Sequence, residues 1–190
     1  SGALPAPINI VEERTVGPDL GKDSIDAGVF SLIVGFILVI IFMLIKYKIF
    51  GLVSNISLIA NLFMMVGILT ILEATLTLPG IAGIILTVGM AVDSNVLIYE
   101  RIKEELKTEK SIIHAFDTGY NKAKITVIDA NVTTLIAAII LFVFGSGPVK
   151  GFAVTLGIGI VTTLFSAYFI ARHLTSVVVL NDKNGKYFKL

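Results

Sequence analysis

Five long apolar runs without charged side chains dominate the chain. They cover residues 27–45, 49–72, 74–92, 130–149 and 151–171. A helix needs roughly 20 apolar residues to cross a bilayer, and only helices or closed barrels satisfy their backbone groups there. Because the apolar residues are continuous rather than alternating, the pattern predicts helices. We therefore predict an all-α membrane protein, a five-helix transmembrane bundle with spans at about 27–45, 51–73, 81–100, 125–144 and 151–171.

The segments around these runs divide the chain into three parts. Residues 1–26 combine a strand-like stretch at 8–11 with the turn formers Gly17, Pro18 and Gly21, which predicts the end of a soluble domain and a linker. A disordered tail is the alternative. Residues 27–172 form the transmembrane domain, in which 111–124 has the pattern of an amphipathic helix at the cytoplasmic surface. Residues 173–190 form a cytoplasmic tail.

The distribution of lysine and arginine predicts the orientation. One side of the predicted bundle carries Lys46, Lys48, Arg101, Lys103, Lys107, Lys110, Lys122, Lys124, Arg172, Lys183, Lys186 and Lys189, and the other carries Arg14, Lys22 and Lys150. Because the basic side is normally cytoplasmic, we expect the N-terminus outside the cytoplasm and the C-terminus inside it, in a multi-pass membrane protein.

Composition supports the membrane prediction and narrows the chemistry. Hydrophobic residues make up 55% of the chain and charged residues only 15%, where soluble domains have about 25% charged residues. The net charge of +1 gives no indication of nucleic-acid binding. The sequence has no cysteine, no nucleotide-binding loop and no histidine cluster. We therefore predict no enzyme, no cofactor and no metal site.

Asp93 is the strongest candidate for a functional residue, because it lies inside the third predicted span. An aspartate near a helix centre costs about 2.5–3.5 kcal/mol on insertion scales. Such a residue usually faces the interior of the bundle and marks an ion or proton path. We expect Asp93 to face inward and to relay protons. The alternative is a structural carboxylic acid that hydrogen-bonds to a neighbour.

Other polar residues lie close to this position. Asp129, near the cytoplasmic start of the fourth span, is a second candidate relay group or a structural anchor. Asn95, Asn131, Thr133 and Glu100 are the candidate supporting polar residues, and asparagine and threonine can hydrogen-bond between membrane helices. Glu100 either lines a cytoplasmic exit or pairs with Arg101 or Lys103, and Glu73 lies at the outer interface.

Two membrane aspartates also raise the possibility of an intramembrane aspartyl protease. That chemistry needs two facing carboxylates that share a proton. Such proteases have a Gly-x-Gly-Asp pattern, from which residues 91–93 (AVD) depart.

Several segments together resemble the SecD members of the SecD/SecF family of protein-export membrane proteins. They are residues 12–18 (EERTVGP), 74–83 (ATLTLPGIAG), 89–98 (GMAVDSNVLI), 100–106 (ERIKEEL), 129–131 (DAN) and 147–153 (GPVKGFA). Two departures are Glu73 and Ser94, where the family commonly has small residues.

The resemblance implies an RND-type architecture, in which this bundle is one half that lacks its first helix. It implies a location in the bacterial inner membrane, with residues 1–26 as the end of a periplasmic domain and the C-terminus in the cytoplasm. It also implies use of the proton-motive force, with H⁺ or Na⁺ as the coupling ion, and SecF, the Sec channel and preproteins as partners. Asp93 matches the family's intramembrane proton-path aspartate, and Asp129 matches a position whose role is less settled. The alternatives are an RND-type exporter of lipids or small molecules and a scaffold in which Asp93 only hydrogen-bonds.

Overall fold

The computed structural model describes residues 18–74, 76–108 and 111–181, and this part of the chain contains helices and no strand. The helices are α1 (Pro18–Ile71), α2 (Leu78–Leu106), α3 (Ile112–Phe144), α4 (Pro148–Phe165) and α5 (Arg172–Asn181), with a π-helical segment (Ser166–Ala171) joining α4 to α5. The prediction of an all-helical protein with long apolar helices is confirmed. The predicted strand at 8–11 and the second half of the predicted tail, residues 182–190, lie outside the described residues.

Helix α1 is folded back on itself at Lys48. The backbone leaves helical geometry there, with φ 51° and ψ −115°. The Nδ2 atom of Asn55 donates a hydrogen bond to the carbonyl oxygen of Ile40 over 3.1 Å, although a straight helix would separate these residues by about 22 Å. Gly51 has no room for a Cβ atom because the backbone of Met43 lies against it. The two arms of α1 therefore run antiparallel in close contact.

The predicted count of five separate spans is not confirmed. In the described part of the chain, four helices are long and apolar enough to cross a membrane: Lys22–Ile71, Leu78–Leu106, Ile112–Phe144 and Pro148–Asn181. The predicted spans 27–45 and 51–73 both lie within the first of them, because the reversal departs from helical geometry at a single residue, Lys48. The predicted surface helix 111–124 and span 125–144 likewise form one continuous helix, α3.

Helices α2 and α4 run parallel and interlock through glycine and threonine. A Cβ atom on Gly83 would collide with the Thr155 side chain, and one on Gly159 would collide with the Thr87 side chain. Both threonines are buried, and their hydroxyls donate to carbonyls of their own helices. Small residues permit this close approach of the two backbones, and close packing matters in a bilayer because no hydrophobic driving force brings helices together there.

Polar contacts fix the second arm of α1 against α4 and the π-helical segment. The Ser57 hydroxyl donates to the Ser166 carbonyl oxygen over 3.0 Å, and the Asn61 amide donates to the Thr163 hydroxyl over 3.2 Å. All four residues are buried. Helix α2 thus lies between α1, α3 and α4, and its position determines where Asp93 points.

Candidate functional site

Asp93 lies on a face of α2 that the described part of the chain leaves uncovered. Ala82, Leu86, Gly89, Asp93 and Leu97 are all exposed, and their spacing of three or four residues places them in one stripe along the helix. The expectation that Asp93 faces the interior of this bundle is wrong for the bundle formed by this chain. The buried face of α2 contains Ala91 and Asn95, each two residues away from Asp93. Because side chains two residues apart point in directions that differ by about 200° around a helix, Asp93 points away from the buried face.

The Asp93 side chain borders a groove of about 220 Å³ between α2 and α3. Its walls are Met90, Asp93, Ser94 and Leu97 from α2, and Val127, Ala130, Asn131 and Thr134 from α3. Asp93 is the one ionisable residue among them. The groove therefore places a carboxyl beside an amide and two hydroxyl groups in a largely apolar setting.

Asn131 is the predicted supporting residue that the structure places in the same groove as Asp93. It is buried, and its Nδ2 atom donates to the Val127 carbonyl oxygen over 2.8 Å. Its Oδ1 atom is buried without a hydrogen-bond partner in the described part of the chain. A buried amide oxygen without a partner carries a desolvation penalty of about 1–3 kcal/mol, so the Asn131 side chain is incompletely hydrogen-bonded at the wall of this groove.

Asp129 is not brought together with Asp93. It is exposed and does not border the groove, since it is turned by about 160° from Asn131 around α3. Its carbonyl oxygen accepts a 2.9 Å hydrogen bond from the Thr133 hydroxyl, and the Thr134 hydroxyl donates to Ala130 in the same way. Within the described residues, neither threonine hydroxyl makes the bond to another helix that was expected of Thr133, because each bonds to its own helix one turn earlier.

Asn95 lies two residues from Asp93 but on the opposite face of α2. It is 2% exposed, and its Oδ1 atom has no hydrogen-bond partner in the described region. The structure thus assigns Asn95 to the packed interior and Asp93 to the open face.

Glu100 borders a second groove, of about 330 Å³, which adjoins the first at Leu97. It accepts a 2.9 Å hydrogen bond from the Tyr47 hydroxyl, and its ion pair with Lys103 has an N–O distance of 3.4 Å. The expected local ion pair of Glu100 with Lys103 is present, and a role of Glu100 at a cytoplasmic exit stays a prediction. About 10 Å of helix separates it from Asp93.

An ion pair that sequence reasoning missed joins α2 to α3 beyond this second groove. The buried Glu105 carboxylate lies 2.8 Å from Lys122 Nζ and 3.4 Å from Arg101 Nε. The sequence pattern places Lys122 on a surface helix at 111–124, separate from the helix that contains Glu105. Only the continuation of α3 as one helix brings the two side chains together.

The described residues contain no group of three or more His, Cys, Asp or Glu side chains that could hold a metal ion. The chemistry available at the groove is therefore that of a single carboxyl, which gains or loses a proton and accepts or donates hydrogen bonds accordingly. Long apolar helices around one such carboxyl define the class of the molecule as a helical multi-pass membrane protein.

Comparison with known proteins identifies the family. The family model for protein export membrane protein SecD/SecF, C-terminal, matches residues 4–181. The protein translocase subunit SecD of Magnetococcus marinus is 54% identical over 183 residues, which cover 96% of this chain and 35% of that relative. The SecD of Desulfurispirillum indicum is 55% identical over 180 residues, covering 95% of this chain and 35% of the relative. The chain belongs to the SecD/SecF family.

The fold agrees with this assignment. A crystal structure of SecDF from Thermus thermophilus, described as a translocon-associated membrane protein, matches with a TM-score of 0.83 and 43% identity. The match covers 87% of this chain and 23% of that one. A crystal structure of SecDF in a super-membrane-facing form matches with a TM-score of 0.80 and 42% identity. The chain spans about a third of the length of the SecD relatives it matches.

Proposed function

We propose that this chain is the membrane-spanning part of a SecD-type subunit that uses the proton-motive force to assist preprotein export across the inner membrane. Asp93 is the observation that carries the proposal. It is a carboxyl in a stretch of α2 that is otherwise free of charge, on an open face, and it borders the same groove as the buried Asn131. The family membership and the names of the relatives supply the export context.

The open stripe of α2 supports a second subunit as the partner that completes the proton path. An aspartate facing lipid is unfavourable by several kcal/mol, so the Asp93 face needs cover from another protein surface. A SecF-type half, with the Sec channel and the preprotein as further partners, fits this requirement. Asp129, which points elsewhere on α3, would be a second relay group only if another helix carries protons to it.

The arms of α1 favour five membrane crossings. The hydrogen bond between Asn55 and Ile40 supports two antiparallel crossings joined at Lys48. With α2, α3 and the α4–α5 segment, the total is five, and the ends of the chain lie on opposite sides. The basic residues near Lys48, Lys122 and Arg172 support a cytoplasmic location for that end.

The proposed coupling needs no cofactor beyond the ion itself. A proton that moves through 100 mV releases about 2.3 kcal/mol. Loading and unloading of Asp93 changes the charge at the α2–α3 groove, and a difference of a few kcal/mol is sufficient to shift a two-state packing equilibrium. We propose H⁺ as the ion, with Na⁺ as the alternative. Glu100 and the groove around it would form the cytoplasmic end of the path.

The test replaces Asp93 by asparagine in cells that express the protein with its natural partners. We expect normal protein levels and loss of proton-dependent export, measured as accumulation of unprocessed preprotein. Asp26→Asn, at an exposed position near the start of α1, is the matched control and should leave export unchanged. Normal export by the Asp93→Asn variant, with the same sensitivity to an uncoupler as the wild type, would contradict the proposal.

A further inference from the structure

An apolar groove of about 390 Å³ lies on the opposite end of the bundle from Glu100, between α1, α3 and α4. Ile68 and Leu72 form one wall, Leu135 and Phe142 the other, and Val154 and Gly157 the floor. Every residue that borders the groove is apolar. It does not contain Asp93 and does not adjoin the groove that does.

The dimensions of this groove fit one acyl chain better than a helix. From Leu135 to Phe142 it extends about 10 Å along α3 by helical rise, which is most of the depth of a single leaflet. A transmembrane helix of another protein would need a surface extending across roughly 30 Å. At one end the groove reaches Phe142 and Ala153, close to the α3–α4 turn.

One lysine and one glutamate lie near the end of the groove that is closest to the α3–α4 turn. Lys150 lies four residues before Val154 and seven before Gly157, so it heads the stripe of α4 that forms the floor. Its Nζ atom lies 5.6 Å from the centre of the Phe142 ring, which is part of the groove wall. Lys150 and Glu73 also border one common cavity of about 280 Å³, which meets the apolar groove at Val154.

Neither charge has an ion-pair partner within the described residues, and they do not pair with each other. The cavity is therefore bordered by one cation and one anion that are available to a ligand. A phosphate suits the ammonium of Lys150, and a primary ammonium suits the carboxylate of Glu73, since charge-assisted hydrogen bonds are the strong ones.

The backbone at Glu73 is a second and independent observation. Its φ is 50°, in the left-handed region. The amide N–H groups of Glu73 and Ala74 bond to the carbonyls of Thr70 and Leu69, which is the helix-ending arrangement that normally places glycine at this position. A residue other than glycine in the left-handed conformation is unfavourable, and such strain often accompanies a functional side chain.

We propose that this groove binds a phospholipid with a primary-ammonium headgroup, such as phosphatidylethanolamine. One acyl chain fills the apolar groove, Lys150 binds the phosphate and Glu73 binds the ammonium. The site is separate from the proton path, so it serves to anchor this end of α1, α3 and α4 in the leaflet.

The test is native mass spectrometry of the detergent-purified protein titrated with dioleoyl phosphatidylethanolamine, phosphatidylcholine and phosphatidylglycerol. We expect phosphatidylethanolamine to bind most tightly. Lys150→Gln should weaken its binding by about tenfold, the loss of one charge-assisted contact. Glu73→Gln should reduce phosphatidylethanolamine to the level of phosphatidylcholine and leave phosphatidylglycerol unchanged. Equal binding of all three lipids by the wild type would overturn the proposal.

Two further variants separate the groove from the surrounding lipid. Gly157→Leu fills the groove, and its Cβ atom meets only Leu135 Cδ1 at 4.0 Å, so the fold should tolerate it while lipid retention is lost. Gly67→Leu is the matched control, because a Cβ atom there meets nothing within 4 Å and Gly67 does not border the groove. Equal lipid retention by the two variants would show that the retained lipid is bulk lipid and not lipid bound in the groove, and would overturn the proposal.

The last variant addresses the strain at Glu73. Glu73→Gly should raise the thermal midpoint, because glycine favours the left-handed conformation, and should also weaken phosphatidylethanolamine binding. A higher midpoint with unchanged lipid binding would assign Glu73 a structural position only and overturn its part in the site.

Discussion

The two faces of α2 differ in what covers them. One face interlocks with α4, where Gly83 lies against Thr155 and Thr87 against Gly159 without space for a further carbon atom. The other face carries Gly89 and Asp93, and a Cβ atom on Gly89 would meet nothing within 4 Å. Both faces contain glycine and both consist largely of apolar residues. The presence of glycine alone therefore does not distinguish a packed face from an open one.

This difference separates residues that hold the fold from those that remain available for another subunit. A glycine whose missing side chain is replaced by a neighbouring threonine contributes to packing inside this chain. A glycine with empty space beside it, one turn before a membrane carboxyl, leaves room for a surface that is not part of this chain. The difference between the faces can be tested by making similar substitutions on each.

The largest effect is expected at Gly159. Gly159→Ala places a methyl group against the Thr87 side chain inside the α2–α4 interface, and overpacking of this kind costs about 1–3 kcal/mol. We expect a loss of about 3 kcal/mol in the free energy of unfolding, measured by SDS titration in mixed micelles. Thr87→Gly in the same protein should recover part of that loss. If the double variant is no more stable than Gly159→Ala, Thr87 is not the residue that limits how closely α2 and α4 approach each other.

A smaller effect is expected at Asn95, on the packed face. Asn95→Asp puts a carboxyl where the side chain is 2% exposed and its Oδ1 atom already lacks a partner. Burial of a polar group without compensation costs about 2 kcal/mol, and we expect that loss of unfolding free energy by the same measurement. The matched change on the open face, Asp93→Asn, should alter stability by less than about 0.5 kcal/mol. Equal losses would contradict the distinction between the faces.

The sequence predicted the helical class and drew attention to one carboxyl, that of Asp93, because the bilayer restricts both backbone and charge. Backbone groups in hydrocarbon must bond within helices, so the charge-free runs were sufficient to predict helices in α2 and α4. Asp93 was identifiable because a charge in such a run is unfavourable. Asn131 was named as a supporting residue and lies beside Asp93 in the groove. The relay role itself stays a prediction.

The features that sequence reasoning missed depend on long-range packing. Hydropathy reports that Asp93 is in a span but not which way it points, since that depends on where α1, α3 and α4 lie. It also does not reveal that the reversal at Lys48 uses one residue, or that α3 continues through residues 111–124. The ion pair between Glu105 and Lys122 follows from that continuity. Thr133 was expected to bond across helices, but its own helix offers a nearer carbonyl.

The smallest effect on stability is expected at Gly89, on the open face of α2. Gly89→Leu adds a bulky side chain to the open stripe of α2, one turn before Asp93, where nothing lies within 4 Å of the new Cβ atom. Surface changes of this kind usually stay within about 0.5 kcal/mol, so protein purified without its partner should unfold like the wild type. Assembly with a SecF-type partner should fall by about tenfold, the equivalent of 1.4 kcal/mol, in a quantitative co-purification. Unchanged assembly would mean that the partner does not cover this stripe, and the proton path proposed through Asp93 would then have to be completed from the α3 side of the groove.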